Sequence, residues 1–140
     1  MALKMDVAAL NRFLETEFAQ VAGEFTVEAV EEMAVTVRLN VGERHLRPGG
    51  TVSGPTMFAL ADVSVYLAIL AMIGPKALAV TTGCSMDFMR KPAAATDLIG
   101  QCRLLKLGRV LAVGDVLIYS EGLAQPVARA SMTYSIPPER

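Results

Sequence analysis

The sequence has no tryptophan, two cysteines and a single histidine, His45, among its 140 residues. One histidine cannot supply a metal site built from several imidazoles. No histidine follows Ser53, which lies in GTVSG rather than GxSxG, so a serine triad is excluded. Pro55 stands where a phosphate-binding loop needs lysine, which excludes that motif. Cys84 and Cys102 lack a CxxC or Cys/His ligand spacing, and their strand-like apolar surroundings predict two buried free thiols.

An excess of one charge sign is also absent, because 13 basic residues stand against 14 acidic ones and the formal net charge is -1. Proteins that bind nucleic acid need a basic surface, so we expect no nucleic-acid partner. The N-terminal segment carries Asp6, Arg12, Glu15 and Glu17, which interrupt the apolar core that a signal peptide would need. We therefore expect a cytoplasmic protein.

Hydrophobic residues, in contrast, make up 53% of the chain, which predicts a large buried core and apolar surface to be covered between subunits. The length fits one domain over residues 1–140. Asp6 is placed to cap a first helix with one apolar face, and Gly23 is expected to end it. Two strands with alternating apolar residues follow, over 25–29 and 35–39.

The longest apolar run covers residues 55–73 and leaves hardly any polar face, which predicts a helix wrapped on most sides. A membrane span is the rival interpretation, since about 20 apolar residues suffice to cross a bilayer. Asp62 and Ser64 inside the run, and the lack of a basic flank, disfavour that span. We therefore expect no membrane partner.

Period-two alternation returns after this helix and predicts four strands, over 79–88, 98–105, 110–119 and 127–136. A hairpin turn is expected at 106–109. No second crossover helix is predicted, so the strands must pair antiparallel. The expected fold class is α+β, with a curled antiparallel sheet around one long central helix and an extra N-terminal helix.

The start of the long helix and its one acidic residue are the best candidates for chemistry. Pro55 suits the first helical turn, and the free amide of Gly54 can hold a developing oxyanion. A carboxylate such as Asp62 in an apolar helix is costly unless water, a partner or a substrate reaches it. The structural alternative is a hydrogen bond that Asp62 accepts from Ser64, Thr82 or a backbone amide.

The spacing of these candidates has a consequence for assembly. Eight residues of helix place Gly54 and Asp62 about 12 Å apart at ~1.5 Å per residue. One small reacting group cannot touch both, so a site that uses both must combine two chains across a two-fold axis.

Four stretches together resemble the hotdog-fold acyl-CoA thioesterases of the phenylacetyl-CoA thioesterase (PaaI-type) family. SGPTMFALAD, at 53–62, is similar to the helix start HGGxxxxLxD of that family. MDFMRKPA, at 86–93, resembles its strand that ends in a F(L/M)(R/K)PA-like turn. LLKLGRVLAVGDV and VARASMTYSI, at 104–116 and 127–136, resemble its last strands. The resemblance implies the hotdog fold and homo-oligomers, either dimers or dimers of dimers.

The resemblance also implies roles for individual residues. Asp62 matches the catalytic carboxylate, either general base or nucleophile, and the Gly54 amide of the neighbouring subunit would polarise the thioester carbonyl of the substrate. Thr82, or its neighbour Thr81, falls where the family has a small hydroxyl residue that orients water or the carboxylate. Basic side chains that could meet the phosphates of coenzyme A are Arg90, Lys91 and Arg109.

Three positions depart from the family pattern and complete the set of expected substrate-binding residues. Ser53 replaces the histidine before the two glycines, Pro55 replaces the second glycine and cannot donate a backbone hydrogen bond, and Arg47 replaces an upstream asparagine. His45 could substitute for the missing histidine only if its loop folds back.

The resulting hypothesis is hydrolysis of acyl-CoA thioesters, with Asp62 as the base and no metal or other cofactor, coenzyme A entering only with the substrate. A protein of the same fold that binds acyl-CoA or another small ligand without hydrolysis is the alternative. A hydratase or dehydratase is a third hypothesis, which would need His45 near the carboxylate.

Overall fold

The computed structural model describes residues 2–75 and 78–138, whose helices and strands follow the predicted order. The helices are α1 (Val7–Glu17) and α2 (Gly54–Ile73), and the strands are β1 (Phe25–Glu31), β2 (Ala34–Leu39), β3 (Val80–Phe88), β4 (Leu98–Leu107), β5 (Leu111–Ser120) and β6 (Ala128–Ser135). Short 3-10 turns cover Ala19–Val21 and Glu43–His45.

The six strands form one antiparallel sheet in the order β1-β2-β4-β5-β6-β3. The side chains alternate between the two faces, and the buried ones face α2, as along β5 and β6. The predicted α+β architecture is therefore confirmed, with β1 and β3 as the two edges.

Helix α2 forms the centre of the core. Leu60, Val65 and Leu70 point in directions about 140° apart around it, and all are fully buried. By length and composition α2 could cross a membrane, but 72% of its most apolar 18-residue window is buried inside the fold. The sheet and α1 cover the helix, so burial within the fold explains why α2 is so apolar.

Two glycines let the sheet approach this helix closely. A Cβ atom on Gly100 of β4 would lie 2.9 Å from the Oγ of Ser64 and 3.3 Å from Leu60. One on Gly114 of β5 would lie 3.2 Å from side-chain atoms of Val65 and Leu104. The absence of these side chains therefore sets the distance between helix and sheet.

The N-terminal helix covers the β1 edge. Asp6 caps α1 as predicted, because its Oδ1 accepts a hydrogen bond from the amide of Ala9 at 2.8 Å. The Oδ1 of Asn11 accepts from the Val27 amide at 2.9 Å, and its Nδ2 donates to the Val27 carbonyl at 3.1 Å. The prediction that Gly23 ends this helix was wrong: α1 ends at Glu17 and a 3-10 turn follows.

Two other expectations need correction. Cys102 is buried, which raises the pKa of its thiol to about 12, but Cys84 is exposed because β3 is an edge strand. Strand β4 continues through a bulge between Leu104 and Lys106 to Leu107, so the hairpin turn is shorter than the predicted 106–109.

Replacement of Gly100 by alanine tests the close contact of helix and sheet. We expect Gly100→Ala to lower the free energy of unfolding by about 1–3 kcal/mol, because the new methyl group overlaps Ser64. Gly83→Ala is the control, since its nearest neighbour would be at 3.9 Å. Urea titration measures both variants, and equal stability of the two would contradict the packing described.

Candidate active site

Asp62 lies about two turns after the start of α2 and is half-buried. Its Oδ1 accepts hydrogen bonds from Thr81 Oγ1 at 2.5 Å and from the hydroxyl of Tyr134 at 2.8 Å. No donor among residues 2–75 and 78–138 bonds its Oδ2. One carboxylate oxygen is therefore held by the fold, and the other can accept a proton from a bound molecule.

Tyr134 was not among the residues predicted for the site. It faces α2 from β6 and is only 3% exposed. Burial raises the pKa of its phenol above the ordinary value, so the hydroxyl stays protonated and donates at neutral pH. The sequence does contain a signal for this residue. In the alternating pattern of the last strand, residues 128, 130, 132 and 134 face the core, and a buried tyrosine hydroxyl needs a hydrogen-bond acceptor.

Of the two neighbouring threonines, Thr81 and not Thr82 reaches Asp62 within one chain. The pairing of β3 with β6 shifts between Thr81 and Gly83, so Thr82 is the extra residue of a bulge. Its side chain is exposed and lies 3.4 Å from the carbonyl of Thr133. The sequence also makes Ser64 a candidate hydrogen-bond partner of Asp62. Ser64 instead donates to the Leu60 carbonyl at 2.7 Å.

The start of α2 offers one backbone donor. Ser53 is the N-cap: its Oγ accepts from the Thr56 amide at 3.4 Å and lies 2.9 Å from Thr56 Oγ1. Pro55 has no amide hydrogen to offer. The Gly54 amide donates to no group in the described part of the chain, so this N–H, at the positive end of the helix dipole, is available to an anion.

Gly54 and Asp62 belong to the same continuous helix. Their separation along it is therefore the predicted distance of about 12 Å. Within one chain the free amide of Gly54 and the free Oδ2 of Asp62 are therefore too far apart for one small group to contact both.

A cleft of about 670 Å³ opens beside the Gly54 end of α2. The residues that line it include Arg47, Gly54, Met57, Phe88, Arg90 and Lys91. All three basic residues are exposed, and Arg90 donates to the Pro126 carbonyl at 2.8 Å. The cleft can thus accept an anionic ligand next to an apolar wall.

Arg109 does not join this cleft. It lies in the turn before Leu111, which is in register with Ser135 and, through it, with Val80. Arg90 and Lys91 instead follow Phe88, at the other end of β3, about 23 Å away at ~3.3 Å per residue along the paired strand β6. Within one chain Arg109 therefore lies at one end of the sheet, and Arg90 and Lys91 lie at the other.

His45 is a buried structural residue, 5% exposed, in the loop before α2. Its Nδ1 accepts from the Gly42 amide at 2.8 Å, so the proton is on Nε2, which lies 2.9 Å from Glu24 Oε1. The loop does fold back, because the Ser53 amide donates to the His45 carbonyl at 2.9 Å. It is the backbone of His45 that approaches the helix start, while the ring is bonded to Gly42 and Glu24.

An exposed apolar face lies along the N-terminal half of α2 and the neighbouring strand β3, whose Thr81 bonds Asp62. It consists of Phe58, one turn before Asp62 on α2, and of Cys84, Met86 and Phe88 on the side of β3 that faces α2. Phe58 is 37% exposed and Phe88 is 54% exposed. Beside this face, β3 pairs only with β6 among the described strands and leaves its other edge open. Open strand edges and apolar patches of this kind are typical of protein interfaces.

The described residues contain no cluster of three or more His, Cys, Asp or Glu side chains that could hold a metal ion. The polar groups at the site are hydroxyls and one backbone amide, which donate, and one carboxylate, which accepts. This set suits proton transfer and the binding of a carbonyl oxygen.

Comparison with known proteins identifies the family. The sequence profile of the thioesterase superfamily matches residues 49–127, more than half of the chain, so the chain belongs to the thioesterase superfamily. The matched region contains the start of α2, Asp62 and strands β3 to β5.

Solved structures agree with this assignment. A protein of Silicibacter sp. TM1040, named provisionally a thioesterase, is 63% identical, with a TM-score of 0.93, over 99% of this chain and 96% of that one. A mutant of the phenylacetic acid degradation protein PaaI from Thermus thermophilus is 28% identical, with a TM-score of 0.73, over 85% and 99%. A Streptococcus mutans UA159 protein bound to acetyl-CoA is 27% identical, with a TM-score of 0.71, over 83% and 90%. The predicted hotdog fold and the PaaI-type resemblance are confirmed.

Replacement of Ser53 tests whether this residue acts as a helix cap. We expect Ser53→Ala to lower the free energy of unfolding by about 0.5–2 kcal/mol, because the first turn of α2 loses its side-chain acceptor. Ser53→Asp, which keeps an acceptor, is the matched variant and should retain most of the stability. Chemical denaturation measures both, and an unchanged stability of Ser53→Ala would contradict the capping role.

Proposed function

We propose that the protein hydrolyses acyl-CoA thioesters to a free acid and coenzyme A, with Asp62 as the catalytic carboxylate. The observation that carries the proposal is the position of Asp62, half-buried, with Oδ1 bonded by two hydroxyls and Oδ2 open. Membership of the thioesterase superfamily and the acetyl-CoA bound to the Streptococcus mutans relative support this substrate class.

The proposed reaction uses Asp62 as a general base. Oδ2 takes a proton from water while the water oxygen forms a bond to the thioester carbonyl carbon. The carbon–sulfur bond then breaks, and the proton passes to the thiolate of coenzyme A. Direct attack by Oδ2 on the carbonyl carbon is the other course open to this carboxylate, and it leaves the same products after hydrolysis. The proposal requires no metal or other cofactor.

We propose that each site combines two chains. The Gly54 amide can stabilise the carbonyl oxygen only if it comes from the partner, because it lies about 12 Å from Asp62 of its own chain. The open edge of β3 and the exposed apolar face supply a surface for a homodimer, which is also the unit of a dimer of dimers.

Antiparallel pairing of two β3 strands would also reunite the basic residues. It brings the Val80 end of one strand beside the Phe88 end of the other, so Arg109 of one chain approaches Arg90 and Lys91 of its partner. Arg47 and these side chains then form a basic rim for the phosphates of coenzyme A. Thr82 is exposed on the same edge. Its predicted role in orienting water is retained only in a site that extends across this interface.

The acyl group is proposed to lie against the exposed apolar face, between the two chains. Phe58 lies one turn before the carboxylate on α2, and Met86 is on the same face of β3 as Thr81, whose hydroxyl bonds Asp62. Burial of an acyl chain against them excludes water from all but the reacting carbon. The predicted cytoplasmic location stays a prediction.

Replacement of Asp62 tests the reaction. We expect Asp62→Ala and Asp62→Asn to lower thiol release from short, medium and aromatic acyl-CoAs by about 100- to 10,000-fold, because the proton acceptor is lost. Asp115→Asn is the matched control, since Asp115 is an exposed carboxylate on the face of β5 away from α2. Circular dichroism checks that every variant folds.

Two outcomes would contradict the proposed reaction. Turnover that is indifferent to Asp62 would remove the carboxylate from the mechanism. No turnover of any substrate, together with a rise in unfolding temperature on addition of acyl-CoA, would favour the alternative function, binding without hydrolysis.

A charge within the exposed apolar face tests the two-chain site. We expect Phe58→Glu to convert the dimer to monomer in sedimentation equilibrium and to reduce activity, because an unpaired charge resists desolvation. Activity should return as protein concentration rises. Leu105→Glu, at a side chain 58% exposed on β4, is the control and should stay active. Full activity of a wild-type monomer would contradict a site built from two chains.

A further inference from the structure

We propose that Tyr134 is a positioning residue: together with Thr81 it holds Oδ1 of Asp62, so that Oδ2 alone is presented to the substrate. The inference rests on the proposed function of Asp62 and extends it by assigning a role to the last strand of the sheet. It is carried by hydrogen-bond geometry, burial and aromatic packing.

The hydrogen bonds join three elements of the fold at one oxygen atom. Thr81 on β3 and Tyr134 on β6 are directly opposite each other in the antiparallel pair, and both donate to Oδ1 of Asp62 on α2. The Tyr134 hydroxyl also lies 3.0 Å from the backbone carbonyl of Asp62. Its single proton is therefore shared between the side chain and the backbone of the same residue, which ties the phenol to this turn of the helix.

The packing around the ring prevents Tyr134 from leaving this position. The ring stacks on Tyr66, with centroids 6.2 Å apart and an interplanar angle of 28°. Tyr66 in turn contacts Phe13 and Phe18, with centroids 6.1 and 6.2 Å away. These aromatic side chains connect α1, α2 and β6 and pack around the phenol, whose hydroxyl points toward Asp62.

The arrangement determines which carboxylate oxygen can react. A free aspartate rotates and offers two equivalent oxygens, whereas two donors on Oδ1 fix the side chain and leave Oδ2 unbonded. Misplacement of a catalytic group by about 1 Å can cost ~100-fold in rate. The role of Tyr134 is thus to fix the direction in which Asp62 acts, without contact to the reacting atoms.

Steady-state kinetics of Tyr134→Phe test the proposal. The variant keeps the ring and its packing and loses only the hydroxyl. We expect kcat for the acyl-CoA that wild type hydrolyses fastest to fall about 10- to 100-fold, with KM changed less than about threefold. In an Asp62→Asn background the same change should cause no further loss. Tyr119→Phe, on the neighbouring strand β5, is the matched control and should keep wild-type kcat.

Variants of Thr81 provide a second arm. Thr81→Ala should lower kcat in the same way, and Thr81→Ser, which restores a hydroxyl, should recover it. A purely structural role would predict a loss of stability in Tyr134→Phe that parallels the loss of activity, so urea unfolding is measured on each variant. Wild-type kcat in Tyr134→Phe, or a further loss in the Asp62→Asn background, would overturn the inference.

A measurement without turnover separates this inference from the proposed function. The side-chain carboxyl ¹³C signal of Asp62, assigned through Asp62→Asn, should move in Tyr134→Phe and stay in place in Tyr119→Phe. If wild type hydrolyses no acyl-CoA and the signal moves, the positioning holds and the proposed function fails. If the signal does not move, Tyr134 does not hold Asp62, whatever the activity.

Discussion

The rest of the structure depends on the burial of α2, a 20-residue helix with almost no polar face. Such a helix is stable in water only if apolar side chains cover it on most sides, and a flat sheet can cover only one. The six-stranded sheet therefore curls around it, with glycines at the closest approaches to β4 and β5, and α1 covers part of the remainder. The positions of Asp62, Thr81 and Tyr134 follow from this wrapping, because they lie on α2 and on strands of the sheet that covers it.

The single acidic residue of α2 lies where the wrapping is incomplete. Asp62 is half-buried beside Phe58 and the edge strand β3, whereas Ser64, on the covered side, satisfies its hydroxyl with a carbonyl of the preceding turn. A charged group at this place keeps contact with solvent or ligand and avoids the desolvation that a fully covered carboxylate would suffer. The surface that leaves Asp62 accessible is also the one that we propose for the partner chain.

Departures from the family pattern have local structural explanations. Ser53, where the family has histidine, caps α2 through Thr56, and the histidine of this chain is used in the preceding loop, between Gly42 and Glu24. Pro55 is compatible with a helix start because its missing amide hydrogen would have no intrahelical partner there. The free Gly54 amide is retained, so the donor that we propose for the carbonyl oxygen survives these substitutions.

The sequence by itself determined the order of the elements, the burial of α2, the α+β class and the choice of Asp62 and Gly54, because hydrophobic periodicity and helix-start residues are local signals. Tertiary structure decided the partners of Asp62. A one-residue bulge in β3 gave its hydrogen bond to Thr81 rather than Thr82, and the pairing of β3 with β6 brought Tyr134 to the same oxygen. The exposure of Cys84 and the separation of Arg109 from Arg90 likewise depend on strand order. Register, bulges and strand order arise from contacts between residues far apart in the chain, and local patterns do not specify them.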